Sequence, residues 1–505
     1  MAQPSLADLT AAAAAATGPS FPTATPPKLG GVDPLGLRQL NFDLMDQVLP
    51  GLNNVARHIR PFVVVAWSWR RAKAIASSSG AKKMPVDDLR DFVDRIEVIY
   101  AWSQFLGDQN ADLPGRQYLA PILKADRYVF GGPAWRKRRE ERQYSTAFTA
   151  PINYGPGLKM LGWVAPHHEY PEALIATPGA EPALGAFEAA IVDRLDHPAF
   201  SRFGEVTVTA KEAARWSEAW AWDKPTDAES RTMAKMLFGI GAPLKRRAAG
   251  DLMLAAASFA SSRNADLVRA TMTGRPSNFA PPEDLSVPLV AWRRLQVRQL
   301  FRLALEALLY WIQEQIKDAP KSTGDLIATF LKQIPGRSGH KSARGWLNVG
   351  YVAAAAPTAL MARITSAMND TASKDLAEAI IDSLAFSLAE APETAEPFDR
   401  PDRLPLRRAR READAWGDGS PYDFVRHVIQ SWVLAQHVYW SVGRGLADAR
   451  ARGKSILRLK VVLEEGGWTL APGVEVAGQP EPTADRLATA LSLAYESGLL
   501  DALPG

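Results

Sequence analysis

Six short runs gather arginine, several of them beside a tryptophan: Trp67–Lys73 (WSWRRAK), Trp135–Tyr144 (WRKRREERQY), Leu244–Arg247 (LKRR), Trp292–Arg298 (WRRLQVR), Leu406–Arg411 (LRRARR) and Arg444–Lys454 (RGLADARARGK). A planar guanidinium makes bidentate bonds to phosphate, and an indole ring stacks on a base or on the guanidinium itself. The chemistry on offer is phosphate recognition, with DNA or RNA as the ligand. Candidate contacts are Arg70, Arg71, Arg136, Lys137, Arg138, Arg139, Arg407, Arg408, Arg410 and Arg411, with Trp69 and Trp135 as stacking residues. Acids sit close by: Glu140 and Glu141 lie inside the second run, and Glu412 and Asp414 follow the fifth. If these pair with the arginines on a solvated face, each pair contributes ~0–1 kcal/mol and binds nothing. A binding groove therefore requires several runs on one face. The balance of 59 Lys plus Arg against 55 Asp plus Glu, a formal net charge of +4, does not by itself promise one.

Other chemistries find fewer residues. The tract Gly336-Arg337-Ser338-Gly339-His340-Lys341-Ser342 departs from a phosphate-binding loop, because His340 separates glycine from lysine and the upstream glycine is too close. It reads as a polar interhelical loop. No Gly-x-Gly-x-x-Gly follows a strand, which removes a dinucleotide fold. Among seven histidines, His167 and His168 are adjacent and would diverge on a regular element, while His427 and His437 fall roughly 80° out of phase on a helix. No metal site and no cofactor are expected from them. No Glu-x-Lys, His-x-Lys or Gly-x-Ser-x-Gly pattern marks a nuclease or hydrolase, and the absence of cysteine excludes disulfides and thiolate chemistry. These absences lead to a non-enzymatic reading. His168, Glu169 and Tyr170 form the remaining wet cluster, on which an effector enzyme with a site in 144–170 would have to be built.

The elements that carry these residues read as mainly α and multi-helical. Pro85 opens a helix whose apolar stripe runs from Leu89 to Phe105. Thr209 with Glu212, and Thr226 with Glu229, have the spacing of capping boxes. Pro288–Asp318 predicts a long helix that becomes almost wholly apolar over Leu303–Ile312, and Ser373–Leu388 predicts another. Residues 108–185, rich in Gly, Pro, Tyr and Trp, predict packed loops and short helices rather than a sheet. Trp216 and Trp220, four apart on one helix face, predict a core seam.

The prolines of 391–408 predict a domain boundary. The expected plan is a disordered tail over 1–32, a helical domain over 33–395 with room for two subdomains, and a C-terminal α+β module over 401–505. In that module a helix over Pro421–Ala449, strands over Ile456–Leu463 and Gly467–Leu470, and a helix over Ala484–Leu499 suit a winged-helix-like unit or a plain helical cap with a β-hairpin. An apolar fraction of 47% is too high for a disordered chain. The N-terminus lacks the basic region of a signal peptide. Gly345–Ala362 is uncharged, but Asn348, Gly350 and Pro357 interrupt it, so a buried helix–turn–helix is expected, with no membrane contact and a cytoplasmic location.

Residues 34–72 (PLGLRQLNFDLMDQVLPGLNNVARHIRPFVVVAWSWRRA), with 432–470 (WVLAQHVYWSVGRGLADARARGKSILRLKVVLEEGGWTL) and 483–501 (TADRLATALSLAYESGLLD), resemble an uncharacterised bacterial family of anti-phage defence islands, often found beside helicase and phospholipase-D-like genes. The resemblance covers both ends of the chain and attaches no catalytic residue. It implies an accessory subunit of a defence system, handling nucleic acid or docking a helicase or nuclease partner. The alternative is a structural scaffold for protein assembly whose basic runs are internally paired.

Overall fold

A computed structural model describes residues 33–78, 85–141, 155–274, 279–349, 356–371, 374–394, 399–452, 458–476 and 478–500. The expected tail over 1–32 lies outside the described residues. The described chain is mainly α-helical, with three two-stranded antiparallel sheets.

The helices used below are α1 (Arg38–Val48), α2 (Ile59–Ser78), α3 (Val86–Gly107), α4 (Gly132–Glu141), α5 (Glu181–Ala190), α6 (Leu244–Ala260), α7 (Ser286–Ile316), α8 (Lys374–Ala389), α9 (Leu406–Ala415), α10 (Gln436–Arg452) and α11 (Leu487–Glu496). Helix starts follow the side chains that can accept the unpaired N–H groups of a first turn. Thr209 and Thr226 both form the expected boxes, each accepting from the N3 amide while Glu212 or Glu229 reaches back to the cap backbone. Asp87 and Asp88 sit in the first turn of α3, where the helix dipole favours negative charge.

The strands are β1 (Arg127–Phe130), β2 (Val164–Pro166), β3 (Leu174–Ala176), β4 (Val206–Thr209), β5 (Val461–Glu464) and β6 (Gly467–Leu470). β1 pairs with β4 and β2 with β3, so residues 108–185 contain more extended chain than their sequence announces. Strands of three or four residues are too short to display a period of two, and β1 finds its partner far along the chain. β5 and β6 form the expected hairpin. Its Gly467 takes φ 118° and lets the turn approach so closely that a Cβ there would lie 2.5 Å from the carbonyl oxygen of Lys321.

Apolar side chains collect in two cores. The first draws on α2, α3, α5, α6 and the opening of α7 through Trp292 and Leu295, and it also takes Leu487, Leu491 and Leu493 of α11. The second draws on α7 from Val297 to Ile316, on α8, on α9 and on Trp432, and it takes Leu35 and Leu37 from the start of the described chain. The two cores thus part inside α7 rather than at the proline-rich segment, and residues 401–505 contribute to both. The hairpin rests on the second core through Val461, while α11 belongs to the first, so the two do not share one core as a winged-helix unit would require. Each Leu, Ile or Phe fully buried in these cores contributes roughly 1.5–3 kcal/mol. Along α7 a polar stretch is buried with them: Gln296, Arg298, Gln299, Arg302 and Glu306. The uncharged tract Gly345–Ala362 falls across two short helices, Ala343–Asn348 and Pro357–Ala367, with 350–355 outside the described residues. No helix of the described residues is long and apolar enough to cross a membrane.

Candidate functional site

The arginine runs fold into two kinds of surroundings. On α2, Trp69 is buried in the first core. Arg70 donates to Glu181 at 2.7 Å and Glu188 at 2.8 Å, and Arg71 donates to the carbonyls of Phe200 and Leu195. On α4, Trp135 is 3% exposed and packs edge to face with Phe130, while Arg136 donates to Asp91 at 2.5 Å and Asp88 at 2.6 Å. Lys137 is exposed, and the side chains of Arg138 and Arg139 lie outside the described residues. On α9, Arg408 pairs with Glu412 and Arg410 with Asp414, each one helical turn away. Arg411 is exposed and Arg407 half-buried. The stacking role expected of Trp69 and Trp135 is therefore corrected: a ring enclosed by core side chains has no face to offer a base. The contacts expected of Arg70 and Arg136 are corrected likewise, because their guanidinium groups already meet carboxylates.

A different place gathers positive charge. Asp33, Pro34, Trp440, Arg444, Arg458 and Lys460 line a small recess where the start of the described chain meets α10 and the residues leading into β5. Behind Lys460 lie Arg38 and Arg302, which share the buried carboxylate of Glu306. Arg403 lies over the Trp440 ring, 5.1 Å from its centre. Three cationic side chains therefore line the recess and three more lie beside it, drawn from five separate parts of the chain. Of the nearby carboxylates, Glu306 is buried, and Asp33 accepts the backbone N–H groups of Leu37 at 2.9 Å and Arg38 at 3.2 Å, which fixes it at the entrance of α1.

The recess is held by His437. Its imidazole Nδ1–H donates to the Pro34 carbonyl at 2.9 Å, and its Nε2 accepts the backbone N–H of Lys460, also at 2.9 Å. Only a neutral ring can do both. Burial pushes the His437 pKa down to about 4, with the Pro34 bond opposing and Lys460 reinforcing the shift, so the ring keeps this form at neutral pH. Gln436 adds two bonds, to the carbonyls of Leu35 and Asp402. Burial also lowers the pKa of Lys460, with Glu306 opposing and Arg38 adding to the effect. Gly36, at φ 73°, presses its backbone against Trp440 so closely that a Cβ would overlap the indole.

The other sequence candidates carry less. His168 is exposed and its Nε2 lies 3.4 Å from Glu169, with its ring stacked on His167. No group of three or more His, Asp or Glu among the described residues could hold a metal ion. The tract 336–342 is an interhelical turn: Arg337 is buried against the carbonyls of Trp346 and Leu347 and the carboxylate of Asp382, and Ser342 caps the next helix. Trp216 and Trp220 are buried edge to face in the first core as expected, although the helix ends at Trp216 and Trp220 lies in the turn that follows rather than on the same helix face. Of the residues lining the recess, Arg444 alone belongs to one of the arginine runs, and none is among the candidate contacts drawn from the sequence. The available signal was Trp440 one turn before Arg444.

Comparison with known proteins yields no match to any family model, curated protein or solved structure.

Proposed function

We propose that this chain is a non-catalytic, cytoplasmic helical subunit that holds nucleic acid by its phosphates at the Trp440 recess. The observation that carries the reading is the gathering of Arg444, Arg458 and Lys460 around one concavity, with Arg38, Arg302 and Arg403 beside them and Asp33 as the acid on its rim. A phosphate placed there would offset the repulsion among the cations and the partial desolvation of Lys460. The two stretches that resemble the defence-island family supply the walls: Pro34, Gly36 and Arg38 come from the first, and Trp440, Arg444, Arg458 and Lys460 from the second. Their meeting in space supports placing the chain as an accessory subunit of an anti-phage system, with a helicase or nuclease as partner.

Gel-shift titration of the full chain with a short duplex tests this. The expected result is micromolar or tighter binding that weakens steeply with salt. Arg444→Glu with Lys460→Glu should weaken it about a hundredfold and shallow the salt slope by about two phosphate contacts. No binding at low salt removes the nucleic-acid reading. The internal pairing of Arg70, Arg136, Arg408 and Arg410 favours a second reading, a scaffold for protein assembly. Co-purification with a partner protein that resists nuclease treatment, without any duplex shift, would select it.

A further inference from the structure

Another face of the molecule carries apolar side chains into solvent. Between the helix Asp227–Phe238 and α6, the loop Gly239-Ile240-Gly241-Ala242-Pro243 holds Ile240 93% exposed, and Leu244, the first residue of α6, is 70% exposed. The chain leaves the first helix so close to its last turn that a Cβ at Gly239 would lie 2.4 Å from the Lys235 carbonyl oxygen. Met160, near the end of the helix Gly155–Leu161, is 51% exposed. Buried Arg246 ties these elements together, donating to the carbonyls of Leu237 and Met236 at 2.9 Å and of Pro50 and Met160 at 3.1 Å.

Cations accompany the apolar side chains. Lys159, Lys235 and Lys245 are exposed and Arg247 half-buried, and among the described residues none of the four forms an ion pair. Lys245, Arg246 and Arg247 stand in the first turn of α6, where no acid joins them and the helix dipole disfavours positive charge. Burial lowers the Arg246 pKa to about 10, so it too stays charged at neutral pH. Of the acids on the adjoining helices, Asp46 is taken up by Arg486, and Asp251 lies about 10 Å along the axis of α6 from Leu244. Nucleic acid does not account for this face, because Ile240, Leu244 and Met160 offer no ring for a base to stack on and a phosphate backbone would leave them in water. An anionic bilayer meets both halves: apolar side chains enter between the headgroups while lysine and arginine stay level with the phosphates. The expectation of no membrane contact rested on the lack of a spanning helix, and a tip that enters only the interface needs none.

We propose that the Ile240–Leu244 loop is a tip that seats the chain on an anionic lipid surface, with Ile240, Leu244 and Met160 entering between headgroups and Lys159, Lys235, Lys245 and Arg247 against the lipid phosphates. This face shares no residue with the lining of the Trp440 recess, and the proposal does not rest on the nucleic-acid reading.

Co-sedimentation of the full chain with vesicles tests this, using phosphatidylcholine alone and phosphatidylcholine mixed two to one with phosphatidylglycerol. The anionic vesicles should bind at least about tenfold tighter than the neutral ones, with affinity falling as salt rises. Ile240→Ser with Leu244→Ser should weaken binding to the anionic vesicles about tenfold or more, because two apolar side chains no longer leave water. Lys235→Gln, Lys245→Gln and Arg247→Gln together should weaken it about a hundredfold, roughly fivefold for each cation lost. Arg411→Gln, on α9, should leave it unchanged, and circular dichroism confirms that the variants are folded. Absence of binding to anionic vesicles overturns the proposal. Binding that the serine pair leaves unchanged also overturns it, because charge elsewhere on the chain would then carry the attachment, and so does equal binding to neutral and anionic vesicles. Polyglutamate bound through Lys235, Lys245 and Arg247, with no vesicle binding, overturns it in favour of an acidic protein segment as the occupant.

Discussion

The Trp67–Lys73 run on α2 and the recess around Trp440 are both rich in arginine and both contain tryptophan, yet different partners meet the charge. On α2, Glu188 accepts from Trp67 at 2.7 Å and from Arg70 at 2.8 Å, and Glu181 takes the other side of the same guanidinium. Those acids come from α5, more than a hundred residues along the chain. At the recess, the carboxylate that could have neutralised Lys460 is buried with Arg302 and Arg38. An arginine run in sequence therefore says little about surface potential until the acids folded against it are counted. Conversely, a basic patch can be built mostly from residues that no run announces, with Arg444 the one exception here.

Three experiments probe that contrast. The largest effect is expected from Trp135→Ala, which removes a ring packed against Phe130 and Tyr128 and should cost about 3–5 kcal/mol in urea unfolding. Where the variant remains folded, its duplex affinity should equal that of the parent chain. A loss of binding without a loss of stability would return Trp135 to the interface and break the contrast.

The next effect is on pH. At the recess, His437 must stay neutral, and its folded pKa of about 4 lies below the ordinary 6.5. Its contribution, on the order of 3 kcal/mol, is present above pH 6.5 and lost as pH falls toward 4. Beside the first core, His58 lies 2.5 Å from Glu496 and 3.3 Å from Asp112; burial opposes its charge, but the two carboxylates prevail and the pKa is raised. Its contribution is present below 6.5 and lost as pH rises through the elevated value. Hydrogen exchange across a pH series should show the His437 bonds loosening in acid and the docking of α11 loosening in base. His58→Gln should flatten the second trend, and parallel responses in both regions would contradict the assignment.

The smallest effect is expected from Asp88→Asn with Asp91→Asn. If these acids are what silences Arg136, removing them should raise duplex affinity about two- to fivefold at low salt, as one more cation becomes available. No gain would mean that position alone keeps α4 out of the interface.

Much of the fold was legible because local signals were strong. Thr-x-x-Glu pairs marked two helix starts, Pro85 marked a third, and the apolar half of α7 advertised a central helix. The division of the core was not, because α7 passes through both cores with no break in its pattern, and composition cannot show where one core yields to the next. The helix expected over Pro421–Ala449 is present but carries a π-helical stretch over Val428–Ala435, for which the residues offered no cue. The recess was illegible for a different reason. Arg444, Arg458 and Lys460 stand close together in sequence, but Arg38, Arg302 and Arg403 beside them come from distant parts of the chain, and the meeting depends on His437 and Gln436, whose bonds reach back about four hundred residues to Pro34 and Leu35.

Placing α11 in the first core has a consequence for synthesis. Helices α2 and α3 are made early, but the Leu487, Leu491 and Leu493 side chains that cover part of their core follow about four hundred residues later. Until then the first core carries an uncovered apolar face, while the second can already assemble from the residues behind it. A chain growing at about 5–20 residues per second would wait tens of seconds for its lid, the interval in which exposed apolar surface is most open to chaperones or to its neighbours. Premature termination anywhere before α11 would make that interval permanent.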